Sequence, residues 1–172
     1  MLVAMARVLI LGAGQSAPFL IQHLLAYGHE RGHSVVVADR DTELAQRRVA
    51  GHPHGQAQAI DALDEAALDA AVAQADVVVN FLIPRFQLPV AEVCLRHGRP
   101  MVSASYRHPK VAALHEEAAK KKVALVCEMG LDPGLDHLSA MKLIDELKHE
   151  GHRINAFWSY GSGVPAPEHA QP

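Results

Sequence analysis

The feature that most constrains this chain is the run Gly12-Ala13-Gly14-Gln15-Ser16-Ala17, which directly follows the apolar stretch 7–11 and directly precedes a segment with helical spacing. A buried strand that ends in glycines and opens a helix leaves few options. The first glycine permits a tight turn, and the second lets a pyrophosphate approach the backbone. The small Ala17 lets helix and strand pack closely, and the helix N-terminus offers free N–H groups to an anion. In this context Gly12, Gly14, Gln15, Ser16 and Ala17 are expected to bind a dinucleotide. The alternative is a glycine turn used for packing alone.

The alternation continues along the chain. Segment 16–27 has helical spacing, with Phe19, Leu20, His23, Leu24 and Tyr27 near one face, and Gly28 and Gly32 mark its end. Apolar or β-branched runs predict further strands at 34–38, 76–82, 100–103 and 123–127, the alanine- and glutamine-rich segment 56–60 is expected to supply the third strand, and periodic segments predict helices at 42–50, 64–74, 88–97 and 109–121. Asp64 is a good N-cap, and Pro109 stands at an allowed first-turn position. Strands alternating with helices at short spacing imply an α/β fold, a Rossmann-like doubly wound parallel sheet with helices on both faces. Aromatic residues are only 5% of a chain that is 49% hydrophobic, so alanine, valine and leucine must fill the core.

Past Met129 the character changes. A turn at 131–134 leads to a longer helix at 135–149, an aromatic strand at 154–160, and a glycine- and proline-rich end at 161–172. One helix and one strand cannot bury a core of their own. The expected organisation is a NAD(P)-binding Rossmann domain at 1–130, followed at 131–172 by the beginning of a substrate or catalytic domain that is truncated in this chain.

Several function classes are disfavoured. The net charge of −3 argues against nucleic acid as a partner. The one basic run, Lys120-Lys121-Lys122, sits at a predicted helix end, where cations complement the helix dipole. Cys94 and Cys127 lie in apolar segments without CxxC spacing and read as reduced thiols. The chain has 12 histidines but no HExxH or Cys/His pattern, so no metal site is expected. No secretory leader pattern is present, and no apolar run reaches the roughly 18 residues that span a membrane. A cytoplasmic protein with no membrane partner is the expectation.

Asp39 ends the second strand, about 25 residues after Gly14. A carboxylate there accepts hydrogen bonds from the adenosine ribose, which marks NAD; a strand-end cap is the alternative. Arg40 offers a fork that could bind the 2′-phosphate of NADP. Asp41 adds a second negative charge, and two acids against one base tilt the reading slightly toward NAD. Asp61 follows the third strand, where such folds touch adenine, although a turn residue serves equally well there. Asn80, at the end of the fourth strand, is a candidate contact to the nicotinamide half.

The segments Val8-Leu9-Ile10-Leu11-Gly12-Ala13-Gly14, Phe81-Leu82-Ile83-Pro84, Ser103-Ala104-Ser105-Tyr106 and above all Glu128-Met129-Gly130-Leu131-Asp132-Pro133-Gly134-Leu135-Asp136-His137 resemble the glutamate-forming saccharopine dehydrogenases. Ser159-Tyr160 and Val164-Pro165-Ala166-Pro167-Glu168 fit the same family, so the resemblance runs from Arg7 to Glu168. It implies an NAD(P)-dependent oxidoreductase acting on CH–NH bonds. Such enzymes reduce the imine of glutamate and 2-aminoadipate 6-semialdehyde to saccharopine, or run the reverse, in lysine metabolism. It also implies a Rossmann cofactor domain with a larger inserted substrate domain. Many relatives have a cysteine where this chain has Gly161, and relatives that use NADP have an uncharged residue in place of Asp39 followed by an arginine like Arg40.

Hydride transfer requires a dry site and a group that gives or takes a proton. The loops after the fifth and sixth strands lie on the cofactor side of the sheet and carry Tyr106 and Asp132. The resemblance places both near the reacting centre. Read from the residues alone, Tyr106 could equally be crevice wall, and Asp132 before Pro133 is also a helix N-cap signal. His137, one turn on, could donate a proton or serve a structural hydrogen bond. The expected partner is a small amino-acid substrate, with a homodimer or a separate substrate-domain chain possible. The alternatives are a non-catalytic NAD(P)-binding module, a fragment needing a further chain, and a dehydrogenase of another amino-acid imine.

Overall fold

The computed structural model describes residues 6–160. Strands β1 (Arg7–Leu11), β2 (Ser34–Asp39), β3 (Gly55–Ala59), β4 (Val77–Asn80), β5 (Met101–Ser103) and β6 (Leu125–Val126) form one sheet in the order β3-β2-β1-β4-β5-β6. Every pairing is parallel. The connecting helices are α1 (Pro18–Arg31), α2 (Thr42–Val49), α3 (Glu65–Ala73), α4 (Gln87–His97), α5 (Pro109–Ala112) and α6 (His115–Lys121), and α7 (Leu135–His149) follows the sheet. A 3-10 turn, Pro84–Phe86, precedes α4. This is the Rossmann-like doubly wound sheet that the sequence predicts. The order reverses at β1 and β4, which opens a crevice at the carboxyl ends of those strands.

Strand alternation divides the core into two layers. Leu9, Leu11, Val36 and Val78 pack with residues of α3 and α4 on one face. Ile10, Val35, Val37 and Val79 pack with α1 and α2 on the other. Successive side chains point to opposite faces, and both faces are covered, so the inner strands are apolar without interruption.

Asp41 and Asp64 cap α2 and α3 by accepting from backbone N–H groups of Leu44 and of Ala66 and Ala67. Helix α1 differs. Ala17 stands at its N-cap with no side-chain cap bond, and Pro18 follows.

Four expectations need correction. Helix α1 starts at Pro18 and runs through Gly28 to Arg31. Gly28 is there because a Cβ on it would lie 2.9 Å from the His33 carbonyl oxygen. The buried stripe of α1 is Ala17, Ile21 and Leu25, whereas Phe19 is 86% exposed and Tyr27 40%. The predicted helix 109–121 is two helices, broken where the Leu114 N–H bonds to the Val111 carbonyl. That turn packs Leu114 against apolar residues of both neighbouring clusters. Segment 154–160 is not a strand. A strand needs a hydrogen-bonded neighbour, and among the described residues none pairs with it.

The chain divides into two compact units, Met1–Asp136 and His137–Pro172. In the second, α7 ends with Gly151 in the left-handed region, where the Glu150 and Gly151 N–H groups close on the Glu146 and Lys148 carbonyls. Gly161 and the segment 164–168 lie outside the described residues.

Candidate functional site

The glycine turn is fastened at its middle residue. Ala13 is fully buried; its N–H donates to Asp39 Oδ2 at 2.8 Å, and its carbonyl accepts from Arg48 Nε at 3.0 Å. Gly12 has φ +102°, and a Cβ there would meet the Phe81 carbonyl at 3.1 Å. At Gly14 a Cβ would meet nothing within 4 Å. Protein packing therefore demands glycine at position 12 but not at position 14. Gly14, Gln15 and Ser16 are exposed, and among the described residues their N–H groups donate to no protein acceptor. An uncapped helix start, three open amides and an open space above Gly14 suit a phosphate-bearing ligand.

Asp39 also accepts from the Asp41 N–H through Oδ1 at 3.0 Å. Asp41 caps α2. Arg40 between them is exposed and makes no side-chain hydrogen bond or ion pair among the described residues. Asp61 Oδ1 accepts from the Leu63 N–H at 2.9 Å, so this carboxylate shapes its own turn. Asn80 is buried at the end of β4, and its Oδ1 accepts from the Leu82 N–H at 3.0 Å.

The loops after β5 and β6 meet. The Glu128 N–H donates to the Ser105 carbonyl, and the Met129 N–H to the Ser103 carbonyl, both at 3.0 Å. Tyr106 O–H donates to Asp132 Oδ1 at 3.1 Å. This pair borders an open cavity of about 440 Å³ that is also lined by Pro84, Gln87, Ala104 and Ser105. The bond to Asp132 and its negative charge hold the exposed Tyr106 phenol above its ordinary pKa, with slight desolvation and the charges of Asp136 and Glu128 adding to the effect. Tyr106 is thus a neutral hydrogen-bond donor near neutral pH. Asp132 is no helix cap, because α7 begins at Leu135 and the Asp132 carboxylate faces Tyr106. The structure brings Tyr106 and Asp132 together, whereas His137 falls in the second compact unit.

Two residues of the site carry no sequence signal. Gln87 is buried; its Nε2 donates to Ser103 Oγ and the Ser105 carbonyl at 3.3 Å, and its Oε1 accepts from the His108 N–H at 2.8 Å. Arg48 is the other. A glutamine at a helix start and one of two adjacent arginines on a helix give no pattern to find. Burial pushes the Cys94 thiol up to about 12, which makes it inert. Among the described residues no group of His, Cys, Asp and Glu could hold a metal, and no helix is long and apolar enough to cross a membrane.

Comparison with known proteins agrees with this geometry. The family model described as saccharopine dehydrogenase NADP binding domain matches residues 8–126, and the saccharopine dehydrogenase C-terminal domain matches 130–172. The saccharopine dehydrogenase [NADP(+), L-glutamate-forming] of Schizosaccharomyces pombe is 35% identical over 95% of this chain, which spans 36% of that protein. Its namesake in Saccharomyces cerevisiae is 37% identical over 94% of this chain and 35% of its own length. The solved apo saccharopine dehydrogenase (L-Glu forming) of Saccharomyces cerevisiae superposes with a TM-score of 0.75 at 34% identity, covering 85% of this chain and 32% of that one. The chain thus spans about a third of the length of these relatives. The slight tilt toward NAD finds no support in an NADP-binding family. Its physical fault is visible: Asp39 and Asp41 are engaged by backbone N–H groups, so they do not simply outvote Arg40. With the sheet order, the glycine turn and matches over nearly its whole length all in agreement, the chain belongs to the saccharopine dehydrogenase family.

Proposed function

We infer that this chain is the cofactor-binding portion of an NADP-dependent, L-glutamate-forming saccharopine dehydrogenase. The reaction is reduction of the imine of glutamate and 2-aminoadipate 6-semialdehyde, or its reverse, in cytoplasmic lysine metabolism. Residues 1–130 form the cofactor domain, and 131–172 open the substrate domain. NADPH, when bound, supplies the hydride. Gly12, Gly14, Gln15, Ser16 and Ala17 form the turn that receives its pyrophosphate. The Arg40 guanidinium meets the 2′-phosphate, and Asp39 braces the turn at the ribose end. Asp61 lies toward the adenine and Asn80 toward the nicotinamide. Tyr106 donates a hydrogen bond or proton to the substrate nitrogen or carbinolamine oxygen. Asp132 keeps the phenol protonated and oriented, and His137 is a further proton donor.

The observation that carries this reading is the turn itself. Its amides at Gly14, Gln15 and Ser16 are open, and its second glycine has no packing reason to be glycine. Titration of the chain with NADPH and NADH, followed by nicotinamide fluorescence, tests it. NADPH is expected to bind tighter than NADH, and Arg40→Ala is expected to abolish the difference. Equal binding of both by the unsubstituted chain would remove the 2′-phosphate role, and binding of neither would remove the cofactor role.

A further inference from the structure

Ala13, between the two glycines, is held from opposite sides. Asp39, at the end of β2, takes its N–H, and Arg48, on α2, donates to its carbonyl. Two successive peptide planes are fixed in this way. The consequence follows from the trans peptide. The Ala13 carbonyl and the Gly14 N–H share one plane and point in opposite directions. A guanidinium that draws the carbonyl toward α2 therefore turns the Gly14 N–H away from α2. Gly14 is exposed, and among the described residues its N–H donates to no protein acceptor.

We propose that Arg48 is a positioning residue that aims the Gly14 amide at the pyrophosphate of NADP(H). The role rests on the cofactor reading above and extends it to a residue outside the glycine motif. Arg48 is partly buried, so its charge-assisted bond is less screened than a surface contact. Its neighbour Arg47 is a built-in control, because it is exposed and pairs with Glu43 at 3.6 Å.

The test uses Arg48→Met, which keeps the apolar stem, with Arg48→Lys and Arg47→Met beside it. Each variant is titrated with NADPH, NADH and adenosine 2′-monophosphate, which lacks the pyrophosphate. Arg48→Met is expected to weaken NADPH and NADH by the same factor, roughly tenfold for one lost charge-assisted bond. Binding of adenosine 2′-monophosphate is expected to stay unchanged. Arg48→Lys recovers part of the loss, since an ammonium can still donate to the carbonyl, and Arg47→Met loses nothing. Loss of adenosine 2′-monophosphate in step with the dinucleotides would make Arg48 a general support of the fold and overturn the proposal. Loss confined to NADPH would make it a reader of the 2′-phosphate and overturn the proposal equally. Unchanged dinucleotide binding by Arg48→Met overturns this proposal alone. An unsubstituted chain that binds none of the three probes overturns the cofactor reading and this one with it.

Discussion

Replacing Gly12 and Gly14 by alanine, one at a time, separates what the protein needs from what its ligand needs. At Gly12 the backbone has φ +102°, and a Cβ would stand 3.1 Å from the Phe81 carbonyl carbon and oxygen. The dihedral strain costs about 1–3 kcal/mol. Crowding against backbone adds about 1–2 kcal/mol, since a peptide group yields less easily than a side chain. For a chain of this size the sum lowers the melting temperature by on the order of 10 °C. At Gly14 there is neither positive φ nor any atom within 4 Å of the added Cβ. Gly14→Ala should leave stability unchanged or raise it by about 0.4–1 kcal/mol through the unfolded chain. Its methyl group nevertheless occupies the space a pyrophosphate approaches, and NADPH affinity should fall roughly tenfold, the equivalent of one charge-assisted bond. Thermal unfolding by circular dichroism and NADPH titration read the two effects independently. The reasoning is refuted if Gly14→Ala melts as low as Gly12→Ala, or if it binds NADPH like the unsubstituted chain.

Asp132→Asn removes the charge that helps raise Tyr106 and leaves only a weaker, neutral amide acceptor, so its pKa should fall toward that of an ordinary phenol; carbon-13 shifts of labelled tyrosine report it, and an unmoved titration would deny the contact. Asp69 is held below its ordinary pKa chiefly by His97, whose Nε2 lies 3.0 Å from Oδ1, and also by Arg96. Because the folded pKa is depressed, the stabilisation is present above the ordinary carboxylate pKa and is lost as pH falls through the lowered one. Denaturant titrations should therefore show Asp69→Asn less stable than the unsubstituted chain at neutral pH, with the gap closing in acid. Ile21→Ala should cost about 2–5 kcal/mol and Phe19→Ala less than about 0.5 kcal/mol, and comparable losses would contradict the orientation of α1.

The inner sheet was legible because burial on both faces leaves strand interiors such as 35–38 apolar throughout. The cap at Asp64 and the full extent of α7 rest on equally local chemistry, whereas Asp41 reads in the sequence as a charge near the cofactor, and its role as the cap of α2 emerges only from the fold. The orientation of α1 was not legible. A large apolar residue such as Phe19 marks a helix face only when tertiary packing uses it, and here the smaller Ala17, Ile21 and Leu25 meet the sheet. The break at Leu114 depends on two separate apolar clusters claiming one side chain. Within the site, the glycine turn and the Tyr106–Asp132 loops could be found from motif and resemblance. Their braces, Arg48 and Gln87, could not, because each acts on a backbone group brought near by the fold.

The sheet ladders are uneven, and that unevenness sets where the domain opens first. β1 lies between β2 and β4 with five and four registered pairs, whereas β4–β5 has three and β5–β6 two. The glycine turn hangs from the long central ladders, and the loops carrying Tyr106 and Asp132 hang from the short ones. Local opening free energies follow the number of bonds that must break together, so amide exchange should be slowest in β1 and β2 and fastest at β6. One half of the site is thus built on the most cooperative part of the fold, and the other on a margin that samples open states far more often.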